Sequence, residues 1–230
     1  MAGVSDDVAT EPSSRRALAV SRTADPARQR AEDRVQAFLD AARELLNSSD
    51  GKDFTLQQVV DRSGQSTRSF YQHFAGKDEL LLAVFEESMH ETTEQIAVAL
   101  DGIEDPTERL HRFVVEYHHL CLLNTARYAD NPLRTRAMAL FVQHLLIYRP
   151  ADATAAFAPL ASMVKGLLAA AAESGVLETD TEGEGAGYVL QAVMFSAFAP
   201  VIGGISRPDD PAAAADRLWE RLIRGLAQHP

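Results

Sequence analysis

Hydrophobic residues recur along most of this chain at the three- and four-residue spacing of α-helices. Residues Val35, Phe38, Ala42 and Leu46 give one clear example of a single apolar stripe. No segment alternates polar and apolar residues with period two over the length of a strand. The pattern therefore predicts an all-α chain of about nine helices, with the first three in a separate N-terminal domain and the others in a C-terminal domain.

Several helix starts are predicted from side chains that favour the first turn of a helix. A capping residue directly before a proline suits this position, and it occurs four times. Pro159 lies within the seventh predicted helix, about residues 151–174, and predicts a bend or a restart there. Thr181 with Glu184 forms a capping box that opens the eighth helix. The four capping pairs are Asp25-Pro26, Asp105-Pro106, Asn131-Pro132 and Asp210-Pro211.

The segment from residue 55 to residue 82 has the strongest local signals. Thr55 and Gln58 are spaced as a capping box at the start of a short helix. Gly64 follows that helix, where a left-handed residue ends helices at little cost. Ser66 then offers the N-cap of a second short helix, predicted from Thr67 to Phe74. Two helices joined by a tight turn with glycine form the helix-turn-helix pattern.

The second of these helices has an apolar stripe and a face without acidic groups. Phe70 and Phe74 are four residues apart and form the buried stripe. No Asp or Glu occurs from Arg62 through Lys77, although the whole chain is strongly acidic. A surface that approaches DNA phosphates needs this absence of negative charge. Lys77 and the N-terminus of the following helix are both able to hold a phosphate.

The stretch SGQSTRSFYQHFAGKDELL resembles the signature of the TetR family of bacterial transcription regulators. In that family a small residue, an apolar residue and a tyrosine precede a variable residue, His or Tyr, Phe, two further residues and Lys. The close resemblance covers residues 35–85, and beyond them only the helical layout and the length agree. Arg68 departs from the family pattern, because many members have Gly, Pro or Ala there. The matching positions are Ser69, Phe70, Tyr71, Gln72, His73, Phe74, Ala75, Gly76 and Lys77.

The resemblance implies that this segment binds a double-stranded DNA operator. Some side chains of this segment are predicted to meet base edges or the nearby backbone in the major groove, and others to bind phosphates. The alternative is a helix-turn-helix used only for packing, with Tyr71 in the core. The predicted DNA-binding residues are Thr67, Arg68, Ser69 and Gln72 on the groove side, Thr55, Tyr71, His73 and Lys77 on the phosphates, and Ser66 at the start of the second helix.

The chain is predicted to have three parts. Residues 1–24 are rich in Ala, Ser, Asp and Arg without periodicity, which predicts a disordered arm. Its arginines are interpreted either as a minor-groove arm or as a plain flexible tail. Residues 25–76 are predicted to form the helix-turn-helix DNA-binding domain, and residues 77–230 the ligand-binding and dimerisation domain.

Composition adds limits to this picture. With 22 basic and 33 acidic residues the net charge is −11, which argues against a protein that coats nucleic acid generally. The single cysteine, Cys121, rules out an intrachain disulfide and fits a reducing cytoplasm. Acidic residues near the N-terminus argue against a signal peptide. Residues 188–205 are the most apolar run, but Pro200 and a pair of glycines favour a buried helix over a membrane span.

Methionine and phenylalanine are frequent in the predicted second domain. Such residues either form the core or surround a cavity for an apolar molecule. The resemblance implies a small-molecule effector, since family members usually bind one in this domain. The predicted ligand-binding residues are Phe113, Tyr117, Cys121, Met138, Phe141, Leu145, Met163, Leu167, Met194 and Phe198.

The last two helices carry apolar residues that are predicted to pair two copies of the chain. A homodimer through helices eight and nine would place two helix-turn-helix domains on DNA half-sites about 34–36 Å or somewhat more apart. The alternative is that these residues only close the core of one chain. They are Val189, Val193, Leu218, Leu222, Ile223 and Leu226.

Other chemistry is weakly supported. His111, His118 and Cys121 share one face of helix five and raise the alternative of a metal site, although none is predicted. Gly183, Gly185 and Gly187 lack the strand and the lysine that a phosphate loop needs. No nucleophile elbow or paired metal-binding histidine motif occurs. Neither an enzyme nor a cofactor is therefore predicted.

These observations predict a TetR-like transcription regulator. We expect a repressor that a small apolar ligand releases from a palindromic operator. Helix four is expected to link the ligand to the helix-turn-helix domains. The alternative is a helical ligand sensor or carrier that does not bind DNA. Salt-dependent binding to palindromic DNA separates the two hypotheses.

Overall fold

The computed structural model describes residues 13–48, 54–122, 136–177, 184–196 and 210–226. These residues form nine α-helices and no β-strand, which confirms the predicted all-α class. The helices, in chain order, are α1 Ser13–Ser48, α2 Leu56–Ser63, α3 Thr67–His73, α4 Lys77–Ala99, α5 Pro106–Cys121, α6 Arg136–Tyr148, α7 Pro150–Glu173, α8 Gly185–Ser196 and α9 Pro211–Leu226.

The predicted start of the first helix is wrong. α1 begins at Ser13, so Pro26 lies inside the helix, and residues 13–24 are helical where a disordered arm was predicted. The segment from Ser13 to Val20 contains Ala, Arg and Leu, which are good helix formers, and no glycine. These residues extend the helix N-terminally beyond Pro26. The proline itself removes only one helix hydrogen bond, because it has no backbone N–H. Residues 1–12 of the predicted arm lie outside the described residues.

Two of the other capped starts are confirmed. Asp105 Oδ1 accepts a hydrogen bond from the Glu108 backbone N–H at 2.8 Å, directly before Pro106. Asp210 Oδ1 accepts from the backbone of Ala212 at 3.0 Å, at the start of α9. The pair at residues 131–132 and the predicted cap at Thr181 lie outside the described residues.

The predicted restart at Pro159 is wrong, because α7 is one helix from Pro150 to Glu173, and the bend given as the alternative stays a prediction. The helix ends as predicted at Gly175, whose φ of 78° suits glycine. α7 packs against α4, α5, α6 and α8. It is also long and apolar enough to cross a membrane by those criteria alone, with 33% of its most apolar window buried. Core helices pass the same test, so this finding is weak.

The helix-turn-helix domain consists of α1, α2 and α3 around an aromatic centre. The Phe38 ring meets the Phe70 ring edge-on at 5.3 Å and the Phe74 ring at 6.2 Å. Phe38, Phe70 and Val59 are fully buried. This centre fixes α3 against α1, because aromatic rings prefer such edge-on contacts and fill large volumes.

The last two helices contribute more to the core of one chain than the sequence indicated. Val189, Val193 and Leu222 are buried within the chain, at 1%, 0% and 3% exposure. Leu218, Ile223 and Leu226 are partly buried against the same core. For the three buried residues the alternative applies, since α8 packs against α5 and α7 and α9 packs against α5 and α8 within one chain.

Candidate DNA-binding and ligand-binding sites

The turn between α2 and α3 is built by the residues that the sequence singled out. The Gln58 backbone N–H donates to Thr55 Oγ1 at 3.3 Å, and the Thr55 N–H donates to Gln58 Oε1 at 2.8 Å, which confirms the capping box. Gly64 has a φ of 66°, a left-handed conformation that glycine adopts without strain. Ser66 Oγ accepts from the Ser69 N–H at 3.1 Å and caps α3. The second helix therefore starts at a fixed point.

One face of α3 is open to solvent and free of acidic side chains. Thr67, Arg68, Tyr71 and Gln72 are exposed, and Tyr71 has an exposed fraction of 58%. Phe70 and Phe74 lie on the opposite side in the core. A short helix with this division is able to present polar side chains to a groove while its back is held rigidly.

The remaining predicted DNA contacts are differently placed. Ser69 and His73 are partly buried, and their Oγ and Nε2 atoms have no hydrogen-bond partner among the described residues. Thr55 and Ser66 are exposed at the two helix starts. These positions keep Thr55, Ser66, Ser69 and His73 as predictions for DNA contact.

Lys77 has a structural role that sequence reasoning missed. Its Nζ donates to the Phe54 carbonyl at 3.0 Å and lies 5.0 Å from the centre of the Phe54 ring. Lys77 thus ties the start of α4 to the residue before α2. An ammonium group has three protons, so the predicted phosphate contact stays a prediction beside this structural contact.

An apolar cavity lies between α4, α5, α6, α7 and α8. Its volume is about 740 Å³ including the opening to solvent. The inner wall is buried, and the mouth lies at the exposed residues Gln143, Leu146 and Phe195. No charged side chain is among the lining residues that the structure describes. They are Phe85, Met89, Thr92, Tyr117, Leu120, Cys121, Ala139, Val142, Gln143, Leu146, Phe157, Met194 and Phe195.

Three predicted ligand residues line this cavity, namely Tyr117, Cys121 and Met194. Phe198 lies outside the described residues. The other predicted residues pack in the core and are not part of the lining. They are Phe113, Met138, Phe141, Leu145, Met163 and Leu167.

On α6 the physical reason for this difference is clear. Met138, Phe141 and Leu145 form the most apolar stripe and pack into the core, with exposures of 0%, 7% and 0%. The cavity uses the neighbouring face, with Ala139 and Gln143 among its residues. The available sequence signal for the cavity-lining face of α6 was a small residue and a polar residue beside the apolar stripe. A stripe of only large apolar residues on this helix indicates core packing.

The polar groups around the inner cavity are neutral. Burial raises the pKa of Tyr117 well above its ordinary value, and the nearby Cys121 raises it further. Burial raises the pKa of Cys121 to about 12, although a hydrogen bond from Tyr117 opposes this. The thiol is therefore protonated at neutral pH and is a poor nucleophile, which leaves a neutral hydroxyl at Tyr117 and a weakly hydrogen-bonding thiol at Cys121.

The three residues considered as metal ligands do not form a cluster. His111 Nε2 lies 3.0 Å from Asp216 Oδ1 on α9, and the His111 ring stacks on Trp219 at 5.1 Å. Cys121 lines the cavity. Among the described residues no three His, Cys, Asp or Glu side chains are placed to hold a metal ion. His111 instead links α5 to α9.

The sequence pattern of the family described as bacterial regulatory proteins, tetR family, matches residues 38–84. Residues 38–84 are therefore tetR-like in sequence. The match begins at Phe38, in the aromatic centre, and ends inside α4. It covers the capped turn and the exposed face of α3, so the predicted resemblance is confirmed for this part of the chain.

A regulator of known type matches the same end of the chain. The HTH-type transcriptional regulator BetI of Brucella anthropi is 29% identical over 77 residues, which are 34% of this chain. The match spans 40% of the length of BetI.

Solved structures of regulators share the fold over most of the chain. The FadR regulator of Bacillus subtilis, in complex with stearoyl-CoA, has a TM-score of 0.64 at 14% identity and covers 83% of this chain and 98% of its own. RolR in complex with resorcinol has a TM-score of 0.61 at 17% identity, over 86% of this chain and 89% of its own. At such identities the likeness extends the TetR-type fold to the second domain and carries no ligand with it.

Proposed function

We propose that this chain is a DNA-binding transcription regulator of the TetR type. The capped turn that presents an acid-free face of α3 is the observation that carries the proposal. The match of residues 38–84 to the tetR family supports it. The family is one of regulators rather than enzymes, and the protonated Cys121 thiol gives no support to nucleophilic catalysis.

Contacts to DNA follow from the geometry of α3. Thr67, Arg68 and Gln72 are exposed on one face and are proposed to meet base edges in the major groove. The Tyr71 hydroxyl, on the same face, is proposed to donate a hydrogen bond to a phosphate oxygen. Ser69 and His73 are partly buried, and each has a buried polar atom without a hydrogen-bond partner among the described residues. Their contact with DNA is kept as a proposal.

A homodimer is the proposed assembly, because one short helix gives too few contacts for a specific site. α8 and α9 remain the proposed pairing helices, and of the predicted residues the partly buried Leu218, Ile223 and Leu226 on α9 are kept. Tyr188 and Phe195 on α8 are 55% and 54% exposed and seven residues apart, on one face. Two-fold pairing would place the two copies of α3 in successive major grooves.

The proposed regulation is release from the operator by a small apolar ligand, in the cytoplasm. The apolar cavity supports this proposal, since its lining is mostly apolar with a few polar groups among it, as in sites for small molecules. The structures of FadR with stearoyl-CoA and of RolR with resorcinol show that proteins of this fold accept molecules of different size. α4 forms one wall of the cavity through Phe85, Met89 and Thr92 and begins beside the DNA-binding turn.

Selection of bound fragments from a random DNA pool tests the proposed function. The full chain should enrich a palindromic sequence, and its affinity should fall steeply as salt rises, because binding releases counterions. Enrichment of a palindrome also reports the dimer and its half-site spacing. A chain that enriches no sequence and binds apolar probes would instead be a ligand sensor or carrier.

A further inference from the structure

Two turns of α4 face the apolar cavity on one side and the helix-turn-helix domain on the other. Phe85, Met89 and Thr92 line the cavity. Glu87 and Glu91 lie roughly 150° around the helix axis from them, at 3.6 residues per turn. Both carboxylates meet one side chain of α1, Arg43. The same short length of helix therefore touches both proposed sites.

Arg43, Glu87 and Glu91 form a partly buried charged cluster, here called the Arg43 cluster. Arg43 Nη1 donates to Glu91 Oε2 at 3.1 Å and Nη2 donates to Glu91 Oε1 at 2.9 Å, so the pair is bidentate. Arg43 Nη2 also lies 3.0 Å from Glu87 Oε2. Burial acts to lower the pKa of Arg43, but the hydrogen bonds and charge of Glu91, and then the charge of Glu87, raise it overall.

The cluster leaves some hydrogen-bonding capacity unused. Arg43 Nε and Glu87 Oε2 are buried without a hydrogen-bond partner among the described residues. The Glu87 carboxylate is thus close enough for attraction but is not aligned as a hydrogen bond. Such unpaired buried atoms are uncommon, and they would be satisfied if Glu87 moved to accept from Nε.

Directional contacts have a different effect from apolar packing. The hydrophobic contacts between α1 and α4 hold the helices together but are non-directional. A bidentate arginine–carboxylate pair fixes relative orientation, because both hydrogen bonds need the planar groups aligned. Two carboxylates four residues apart on one arginine therefore restrain rotation of α4 about its own axis against α1.

We propose that the Arg43 cluster is the positioning contact that fixes the helix-turn-helix domain on α4, and that occupancy of the apolar cavity acts on the domain by disturbing this cluster. This inference rests on the proposed function for the ligand and the DNA, but the restraint itself does not. A molecule that displaces Phe85, Met89 and Thr92 moves Glu87 and Glu91 with them, since all five belong to two turns of one helix.

The restraint is measured without DNA by the distance between two spin labels. Gln57 on α2 and Ser162 on α7 are exposed, and each is replaced by cysteine for labelling in a Cys121→Ala background. Labelled chain is diluted in unlabelled chain, so that pairing of copies does not add distances. Nile red, a neutral apolar dye, serves as the probe of the cavity. The parent protein should give one narrow distance that shifts when the dye saturates it.

The variants remove the cluster in two ways. Arg43→Ala should broaden the distance distribution without dye and abolish the defined shift with dye. Glu87→Gln with Glu91→Gln removes both charges at nearly constant shape and should do the same, which keeps the test valid if Arg43→Ala folds poorly. Arg43→Lys keeps the charge without the bidentate geometry. Its distance distribution should be intermediate between those of the parent and Arg43→Ala. Arg28→Ala removes an exposed pair with Glu32 on the same helix and should match the parent.

The outcomes separate the restraint from the proposed function. A narrow, dye-responsive distance in Arg43→Ala, equal to that of the parent, would overturn the proposal even if the protein binds DNA. A broadened distance in Arg43→Ala supports the restraint even if no DNA sequence is enriched. A parent whose distance does not change when bound dye saturates it would overturn the part of the proposal that concerns the cavity. In the parent, the dye should weaken binding to the selected DNA about 5- to 150-fold, as for typical coupling. In Arg43→Ala this factor should fall towards one.

Discussion

The two proposed sites are built in opposite ways on the two sides of α4. The DNA-binding face consists of exposed polar side chains on a seven-residue helix, held by two side-chain caps and an aromatic centre. The cavity is an apolar space that opens to solvent at one end and whose walls come from five helices. DNA has a fixed shape, so its reader needs a rigid local frame. A ligand site only needs space, which many side-chain combinations provide.

The first prediction removes the frame of the DNA-binding face. Phe38→Ala should cost about 3–5 kcal/mol of unfolding free energy, because a fully buried aromatic side chain leaves a cavity. Phe157→Ala is the matched change in the ligand-binding domain. Phe157 is only partly buried and already borders the apolar cavity, so its loss should be clearly smaller.

Urea denaturation of both variants checks this contrast. Equal losses for Phe38→Ala and Phe157→Ala would show that the two regions are equally well packed. The comparison between a rigid frame and a loosely filled wall would then be wrong.

The same contrast explains how far sequence predicts this molecule. Short-range signals that act within four residues, such as the Thr55 cap and Gly64, were confirmed by individual hydrogen bonds and dihedral angles. The cavity depends on which faces of five helices meet, and no local pattern fixes that. Phe141 was predicted in the lining because it is large and apolar, whereas packing places it in the core.

The coupling contacts were beyond local reasoning for a similar reason. Arg43 and Glu91 are 48 residues apart in sequence, and each alone reads as an ordinary surface charge. Lys77 was predicted to face DNA because the family pattern has a lysine there, and its contact with Phe54 needed the folded turn. Pro26 was read as a helix start because proline suits that position, but the preceding helix formers continue α1 through it.

A second prediction concerns pH and the core of the ligand-binding domain. Burial, with a smaller contribution from the charge of His119, lowers the pKa of His118 to about 4, below its ordinary value of about 6.5. Between these values the unfolded chain binds the proton and the folded chain does not. The unfolding free energy should therefore fall as pH falls from about 6.5 to about 4.

The difference between the parent and His118→Gln isolates this effect from other acid-sensitive groups. Melting temperatures of both proteins across that pH window give the measurement. His118→Gln should lose less stability than the parent over the window. Parallel curves for the two proteins would mean that His118 is readily protonated in the fold.

A third prediction sharpens the role of the exposed face of α3. Arg68→Ala should cost about 1–3 kcal/mol of binding free energy on the selected DNA and relax preference at one base pair. Tyr71→Phe removes one hydroxyl from the same face and should weaken all sequences alike, because phosphate contacts carry no sequence information. Titration of each variant on the selected fragment and on single-base changes of it distinguishes the two. Uniform losses for Arg68→Ala would remove it from base reading.

The smallest predicted effect concerns the start of α3. Ser66→Ala removes the hydroxyl that accepts from the Ser69 N–H and should cost about 0.5–2 kcal/mol of stability. Gln65→Ala, one residue earlier, leaves that cap in place and serves as the control. Thermal unfolding measures both changes, and no difference between them would show that water replaces the cap without loss.

The central claim is that DNA and an apolar ligand act on one equilibrium through α4. The most direct test titrates the selected DNA with and without Nile red, and titrates Nile red with and without that DNA. Linkage requires the two ligands to weaken each other by the same factor. We expect equal factors of about 5 to 150 in both directions. DNA and dye that bind together with no mutual change in affinity would contradict the account.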